Sequence, residues 1–335
     1  MTTRVGINGF GRIGRLFLRA ALDRPEVEVV ALNDLTSPAT NAHLLAYDST
    51  QGRLDRPVTV GEGSLTVGGQ TIAVLAERDP TCLPWADLGV EVVIESTGRF
   101  TERAAAATHL EAGAHRVIIS APAGDADATF VMGVNDGDFD PAKHHIISNA
   151  SCTTNCFVPM VKVLDDAIGI NAGLMTTVHA YTNDQNLLDL VHTNLRRARA
   201  AAVNVVPTST GAARATSLVM ASMKGRLDGT SLRVPVPDGS ITDFTAVTRA
   251  TTVAEVNAAF KAAAEGPMAG IMVYSEEPLV SSDIVGTPAS CTFDSELTMV
   301  QRIDDATSLV KVFGWYDNEW GYANRLVDLT VHVGA

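Results

Sequence analysis

Cys152 stands in the run Ser148-Asn149-Ala150-Ser151-Cys152-Thr153-Thr154-Asn155-Cys156, which leads from the apolar pair Ile146-Ile147 into the apolar segment Phe157 to Leu164. This pattern predicts a strand end feeding a helix, with Cys152 in the first helical turn. Exposed N–H groups and the helix dipole there favour thiolate over thiol, and the thiolate is the nucleophile. A cysteine is ordinarily a small buried thiol, but the Ser, Thr and Asn surround fits that badly; Cys82 and Cys291 keep the ordinary reading. Cys156 shares the helix face, and the Cys-x-x-x-Cys spacing is neither that of a redox dithiol nor half of a zinc site. No metal is expected. A nucleophilic thiol needs a base. Of the eight histidines, His179 alone ends a strong strand-like run, Leu174 to Val178, although a histidine at a strand end is often structural. His43, His109, His115, His144, His145, His192 and His332 read as solvated.

A second constellation lies at the start of the chain. Gly9-x-Gly11-x-x-Gly14 follows an apolar strand, Arg4 to Ile7, and opens a segment with helical apolar spacing, Arg12 to Leu22. Three glycines in that context allow a tight turn and close approach to a pyrophosphate, which the helix N-terminus then faces. Asp34 ends the next strand, Val27 to Leu32, where a carboxylate can accept hydrogen bonds from an adenosine ribose and repel a 2′-phosphate. This favours NAD over NADP; the plainer alternative is that Asp34 only ends a strand before the turn at Thr36-Ser37-Pro38.

The elements that position these residues fall into two halves, as 335 residues suggest at ~150 residues per domain. Up to about residue 150 the chain reads as doubly wound α/β, with further strands at Val90 to Glu95 and His115 to Ile119 and an Ala-rich helix, Thr101 to Ala112, between them. Beyond Asn155 the runs Leu174 to His179, Leu232 to Val236, Ile241 to Thr248 and Ser308 to Trp315 predict a mixed sheet. Helical stretches at Thr210 to Met223 and Val253 to Ala264 cover it, and a last helix carries Ala323, Leu326, Val327, Thr330 and Val331 on one face.

Lys and Arg number 25 against 38 Asp and Glu, a net charge of -13, which disfavours nucleic acid and anionic membranes as partners. A phosphate ligand must therefore be held by a few placed arginines and backbone N–H groups. No apolar run approaches the ~20 residues of a membrane span, and the N-terminus enters a strand pattern without a signal-peptide core, so a cytoplasmic location is expected. Four cysteines are too sparse for a disulfide scaffold.

Ile7-Asn8-Gly9-Phe10-Gly11-Arg12-Ile13-Gly14-Arg15, Ala46-Tyr47-Asp48-Ser49-Thr50, Ser96-Thr97-Gly98, Ser151 to Cys156, Thr177 to Thr182, Arg196 to Arg199, Pro207 to Gly211 and Trp315 to Trp320 together resemble phosphorylating glyceraldehyde-3-phosphate dehydrogenase, from end to end of the chain. The resemblance implies an N-terminal Rossmann dinucleotide-binding domain of residues 1–151 and 316–335, plus an α+β catalytic domain with a mixed sheet, residues 152–315. It implies that Cys152 attacks the aldehyde while His179 keeps the thiol ionised and takes the hydroxyl proton. Inorganic phosphate then cleaves the resulting thioester. By position, Thr182 and Arg233 match contacts to the substrate phosphate, Ser151, Thr153, Thr210 and Gly211 contacts to the attacking phosphate, and Arg197 serves both. Arg12, Ile13, Asp34, Arg78 and Ser120 match dinucleotide contacts beside Gly9, Gly11 and Gly14, and Asn318 matches the residue that holds the nicotinamide carboxamide. The family further implies a homotetramer in which the segment 180–204 reaches a neighbouring subunit.

Three stretches depart from the commonest members. Leu190-Val191-His192 lacks the proline that NAD-specific members carry before the histidine, and Pro235 to Ser240 and Gly286 to Cys291 differ in wording. Two competing readings keep the same site: an erythrose-4-phosphate dehydrogenase, in which water attacks the thioester, and an NAD-binding redox sensor whose Cys152 is oxidised by peroxide.

Overall fold

The computed structural model describes residues 2–334. They divide into two compact units, one formed by the chain up to Ser151 together with the segment from Ala323 onward, the other by Cys152–Tyr322. The second crossing falls seven residues later than the sequence places it. The reason is local: Tyr316 still pairs with Ser240 in the sheet of the second unit, and Asp317 Oδ2 accepts the Gly286 N–H at 2.7 Å.

The first unit is built on a nine-stranded sheet. Its centre is Thr3–Asn8, flanked by Val27–Asn33 on one side and Val92–Glu95 on the other, all parallel. Arg116–Ile119, Ile146–Ser148 and Ala128–Thr129 continue the parallel set beyond Val92–Glu95. On the other flank Gln70–Leu75 pairs parallel with Val27–Asn33, and Ser64–Val67 and Val58–Gly61 close the edge as an antiparallel meander. Strand order thus reverses at Thr3–Asn8, the position where open α/β sheets bind ligands at the carboxyl ends of their strands. The helix Arg12–Ala21 packs its apolar side, with Leu16, Phe17 and Leu18 fully buried.

The expected Thr101–Ala112 helix is broken. It forms two one-turn helices, Arg103–Ala106 and Thr108–Glu111, on either side of Ala107. The last helix, Trp320–Gly334, ends in the first unit, where Arg24 Nη1 meets Asp328 Oδ1 at 2.6 Å and His332 Nε2 lies 2.8 Å from the Asp136 carbonyl.

The second unit holds an eight-stranded mixed sheet. Ile170–Ala180 runs parallel to Leu227–Val234 and antiparallel to Ser240–Arg249, which in turn pairs with Thr307–Tyr316. The helix Cys152–Ala167 is buried along most of its first three turns, from Thr153 to Val161. Val253–Glu265 starts at a capping box between Thr252 and Glu255.

Candidate active site

In the first unit the glycine-rich turn is shaped by close approach. Gly9 has φ +92°, and a Cβ there would stand 2.6 Å from the Thr97 nitrogen; a Cβ on Gly14 would stand 2.2 Å from the Gly9 carbonyl oxygen. Gly11, at the N-cap of Arg12–Ala21, faces open space instead, and no side chain caps that helix start. A cavity of about 340 Å³ opens here, walled by Asn8, Gly9, Gly11, Asn33, Asp34, Arg78 and Thr97 among others. Asp34 ties the end of its strand to the glycine turn, Oδ2 accepting the Phe10 N–H at 2.9 Å and Oδ1 the Thr36 N–H at 3.1 Å.

The wall of this cavity is formed without Arg12, Ile13 and Ser120. Arg12 bonds instead to Asp48, whose carboxyl lies below its ordinary pKa: burial pushes it up, but the Gln51 N–H, the Arg12 guanidinium and the Thr50 N–H outweigh that. Ile13 is half-buried in the first helical turn. Ser120 is half-buried one residue beyond its strand, its N–H on the Glu95 carbonyl at 2.9 Å.

In the second unit Cys152 opens the helix Cys152–Ala167, as its sequence predicts, and its Sγ lies 3.4 Å from His179 Nε2. Parallel pairing sets His179 directly beside Arg233. His179 Nδ1 is 2.7 Å from the Ala180 carbonyl, which can only accept, and 3.0 Å from Arg233 Nη1, which can only donate. Arg233 Nη1 donates to the same carbonyl at 3.0 Å and to Thr182 Oγ1 at 3.3 Å.

Packing around Cys152 pushes its pKa up to about 11, against the opposing pull of Arg233 and the Thr153 N–H at the helix start. Burial, and then the Arg233 charge, push the His179 imidazole down to about 3. Desolvation favours the neutral forms of both groups.

The other expected site positions each have partners of their own. Arg197 Nε donates to Thr208 Oγ1 at 2.8 Å, and its guanidinium is ion-paired with Asp184. Thr210 Oγ1 accepts the Ala212 N–H at 3.2 Å, fixing the start of Ala212–Val219 with Gly211 exposed at its N-cap. Thr153 is buried with Oγ1 2.9 Å from the Tyr316 hydroxyl, and Ser151 is half-buried just before the helix. Asn318 is buried, its Oδ1 accepting the Ser240 hydroxyl at 2.6 Å.

Several residues of this neighbourhood escape sequence reasoning. Tyr316 sits edge-on to His179, ring centroids 5.9 Å apart, and its hydroxyl reaches both Thr153 and Thr177 Oγ1, the latter at 2.7 Å. Ser240 Oγ accepts the Ala180 N–H at 3.0 Å while donating to Asn318, so one hydroxyl links the histidine strand to Asn318. Asp238 is pushed up to about 8, first by burial and then by Asp317. The only available signal for Tyr316 and Ser240 is alternation along strands, and their cross-strand pairing is invisible in sequence. His109, read as solvated, is fully buried against Trp85 and Glu95.

Comparison with known proteins gives a consistent result. A family model described as glyceraldehyde 3-phosphate dehydrogenase, NAD binding domain, matches residues 3–103, and one described as glyceraldehyde 3-phosphate dehydrogenase, C-terminal domain, matches residues 151–318. Glyceraldehyde-3-phosphate dehydrogenase 2 of Streptomyces avermitilis is 61% identical over 100% of this chain and 99% of its own length. The Streptomyces coelicolor glyceraldehyde-3-phosphate dehydrogenase is also 61% identical over 100% of this chain and 99% of its own length. That of Geobacillus stearothermophilus is 58% identical with the same coverage of both chains.

Proposed function

The chain belongs to the glyceraldehyde-3-phosphate dehydrogenase family, and from that premise we propose that it oxidises D-glyceraldehyde 3-phosphate with inorganic phosphate and NAD to 1,3-bisphosphoglycerate, the glycolytic step, through Cys152. The observation that carries this reading is the 3.4 Å approach of His179 Nε2 to Cys152 Sγ.

The residues of the first unit fit a dinucleotide: an uncapped helix start, open space over Gly11 and a carboxylate at the end of the second strand. Gly9, Gly11, Gly14, Asp34 and Arg78 would hold NAD there, with Arg12 and Ile13 beside them in sequence, Ser120 just past the strand Arg116–Ile119 and Asn318 for the carboxamide. NAD supplies the acceptor for the hydride. Everything else is done by the protein's own groups. Cys152 Sγ bonds to the aldehyde carbon as its proton passes to His179 Nε2 and on to the substrate oxygen, giving a hemithioacetal. The N–H of Cys152, at the helix start, is placed to donate to that oxygen while it is negative. His179 Nε2 then takes back the hydroxyl proton as the C–H pair departs, leaving the thioester. A phosphate oxygen attacks the thioester carbon, the C–S bond breaks and the thiol recovers its proton.

Thr182 and Arg233 are assigned to the substrate phosphate, Ser151, Thr153, Thr210 and Gly211 to the attacking phosphate, and Arg197 to both. Charge-assisted bonds from two arginines offset the net charge of -13 at these points. Residues 1–151 with the C-terminal helix form the cofactor domain and the intervening residues the catalytic domain. We assign a homotetramer, in keeping with the exposed Leu187, Leu188, Leu190, Val191 and Leu195 of a single loop, and a cytoplasmic location. Among the described residues no helix is long and apolar enough to cross a membrane.

The test is NAD or NADP reduction by the purified protein with glyceraldehyde 3-phosphate, with and without inorganic phosphate. Fast phosphate-dependent reduction of NAD is expected. Turnover that ignores phosphate would point to hydrolysis of the thioester and an erythrose-4-phosphate-type enzyme, and no turnover at all to a sensing role.

A further inference from the structure

The three central strands of the first unit, Thr3–Asn8, Val27–Asn33 and Val92–Glu95, each end on a buried polar residue, and Asn8 registers against both Asn33 and Glu95. Glu95 is 1% exposed, and every group around its carboxyl donates to it. Oε1 takes the Thr97 N–H at 2.8 Å and the Thr97 hydroxyl; Oε2 takes Asn8 Nδ2 at 2.6 Å and His109 Nε2 at 3.1 Å. The histidine cannot act otherwise. Trp85 Nε1, which only donates, lies 3.1 Å from His109 Nδ1, so that nitrogen accepts and the ring proton sits on Nε2, facing Glu95. His109 and Trp85 are both fully buried, so no water competes for these positions.

The consequence runs outward to the cavity. An asparagine amide can in general be turned either way. With Asn8 Nδ2 committed to a group that only accepts, Asn8 Oδ1 must face the other way, and there it receives Asn33 Nδ2 at 2.7 Å. Asn33 meets it with its own orientation fixed by the Glu77 backbone: Nδ2 also donates to the Glu77 carbonyl and Oδ1 accepts the Glu77 N–H, each at 2.8 Å. Glu95 from within and the Glu77 backbone from beside Arg78 thus hold the Asn8–Asn33 pair in one polarity. Asn8, Asn33, Glu77 and Thr97 all belong to the cavity wall, whereas Glu95, His109 and Trp85 stand behind it.

We propose that Glu95 is a positioning residue for the dinucleotide site, and that Trp85 and His109 lock it so that the cavity wall is held in one hydrogen-bond polarity before the cofactor arrives. This rests on the reading that the cavity takes NAD. Preorganisation of this kind changes affinity without a new contact to the ligand, because the cost of ordering the wall is met in folding. In Glu95→Gln one oxygen becomes an NH2 that meets a donor in either orientation, the Thr97 N–H on one side or Asn8 Nδ2 and His109 Nε2 on the other, so either orientation leaves a residue of the cavity wall mispaired.

The experiment is calorimetric titration of the NAD-free protein with NAD, together with hydrogen exchange of residues 8–12 and 76–79 in the absence of NAD. Glu95→Gln is expected to weaken NAD binding at least tenfold and to speed exchange in both segments, with kcat at saturating NAD within twofold of wild type. Should Glu95→Gln fail to fold, the decision passes to His109: Gln can donate to Glu95 and accept from Trp85, so His109→Gln should keep affinity within threefold while His109→Leu loses at least fivefold. Equal NAD affinities for wild type and Glu95→Gln, or for the two His109 variants, overturn the positioning role. A wild-type protein that binds no NAD overturns the reading beneath it.

Discussion

Removal of the Ser240 hydroxyl offers a demanding test of how the catalytic unit is wired. In Ser240→Ala two buried groups lose their partner at once, the Ala180 N–H at 3.0 Å and Asn318 Oδ1 at 2.6 Å. Ser240 and Ala180 are wholly buried and Asn318 is 5% exposed, so solvent reaches neither orphan without rearrangement. A buried polar group left unsatisfied costs about 1–3 kcal/mol, which puts the expected loss for the pair at roughly 2–6 kcal/mol. The functional effect follows from Asn318, whose amide loses the contact that fixes its carbonyl end. If Asn318 orients the nicotinamide, KM for NAD should rise and kcat fall about tenfold, which corresponds to ~1.4 kcal/mol in the barrier. KM for glyceraldehyde 3-phosphate should change little. Urea unfolding followed by tryptophan fluorescence measures the first quantity and steady-state kinetics the second. A variant less than about 0.5 kcal/mol below wild type, with unchanged kinetics for NAD, would refute the reasoning.

The remaining predictions address chemistry, cofactor choice and pH. Cys152→Ser should abolish turnover while leaving NAD affinity within about twofold, and His179→Asn should slow catalysis by ~10² to 10⁴; NAD affinity lost in proportion to activity in the serine variant contradicts the assignment. Asp34→Ala should weaken NAD more than NADP, because the carboxylate both accepts from a ribose and repels a 2′-phosphate, and an unchanged ratio of the two dissociation constants sinks the argument. Asp238 has a folded pKa of about 8, above its ordinary 3.8, so between these values the folded protein keeps a proton that the unfolded chain has released, and stability falls as pH rises across that window. Asp238→Asn has no proton to lose, so relative to wild type it should gain at least about 1 kcal/mol between pH 5 and pH 8 in chemical denaturation. The same difference from wild type at both pH values would rule the proton out.

Legibility from sequence followed the range of the interactions involved. The glycine turn, Asp34, the helix start at Cys152 and the strand carrying His179 were readable because each is a local pattern of spacing and residue type. The edge meander Val58–Gly61, Ser64–Val67 and Gln70–Leu75 was not, since the first of these strands is largely exposed and lacks the apolar run that betrays a buried strand. Thr101–Ala112 has helical composition throughout, yet tertiary packing breaks it at Ala107. His109 illustrates the same limit: it is made a core residue by Trp85 and Glu95, respectively 24 and 14 positions away, and nothing adjacent to it in sequence foretells burial. The family resemblance supplied Arg233 and Thr182, whose relation to His179 depends on strand register. It did not supply Ser240 or Tyr316, which act on neighbouring side chains.

One residue on the approach to the nucleophile has a consequence for anyone who would improve this protein. Ala150 is the one described non-glycine residue with positive φ, at 56°, in the turn between Ile146–Ser148 and the helix of Cys152. That conformation costs an L-residue roughly 1–2 kcal/mol, and it is held by the Ser148 hydroxyl, which accepts the Ala150 N–H at 3.0 Å while donating to the Ala121 carbonyl at 2.8 Å. A glycine would adopt the turn without strain, so a routine search for stabilising substitutions will single this position out. It would also give slack to the two residues that lead into Cys152. Consensus design and directed evolution for heat resistance should therefore treat position 150 as belonging to the reaction, and accept strain there as the condition for an aimed sulfur.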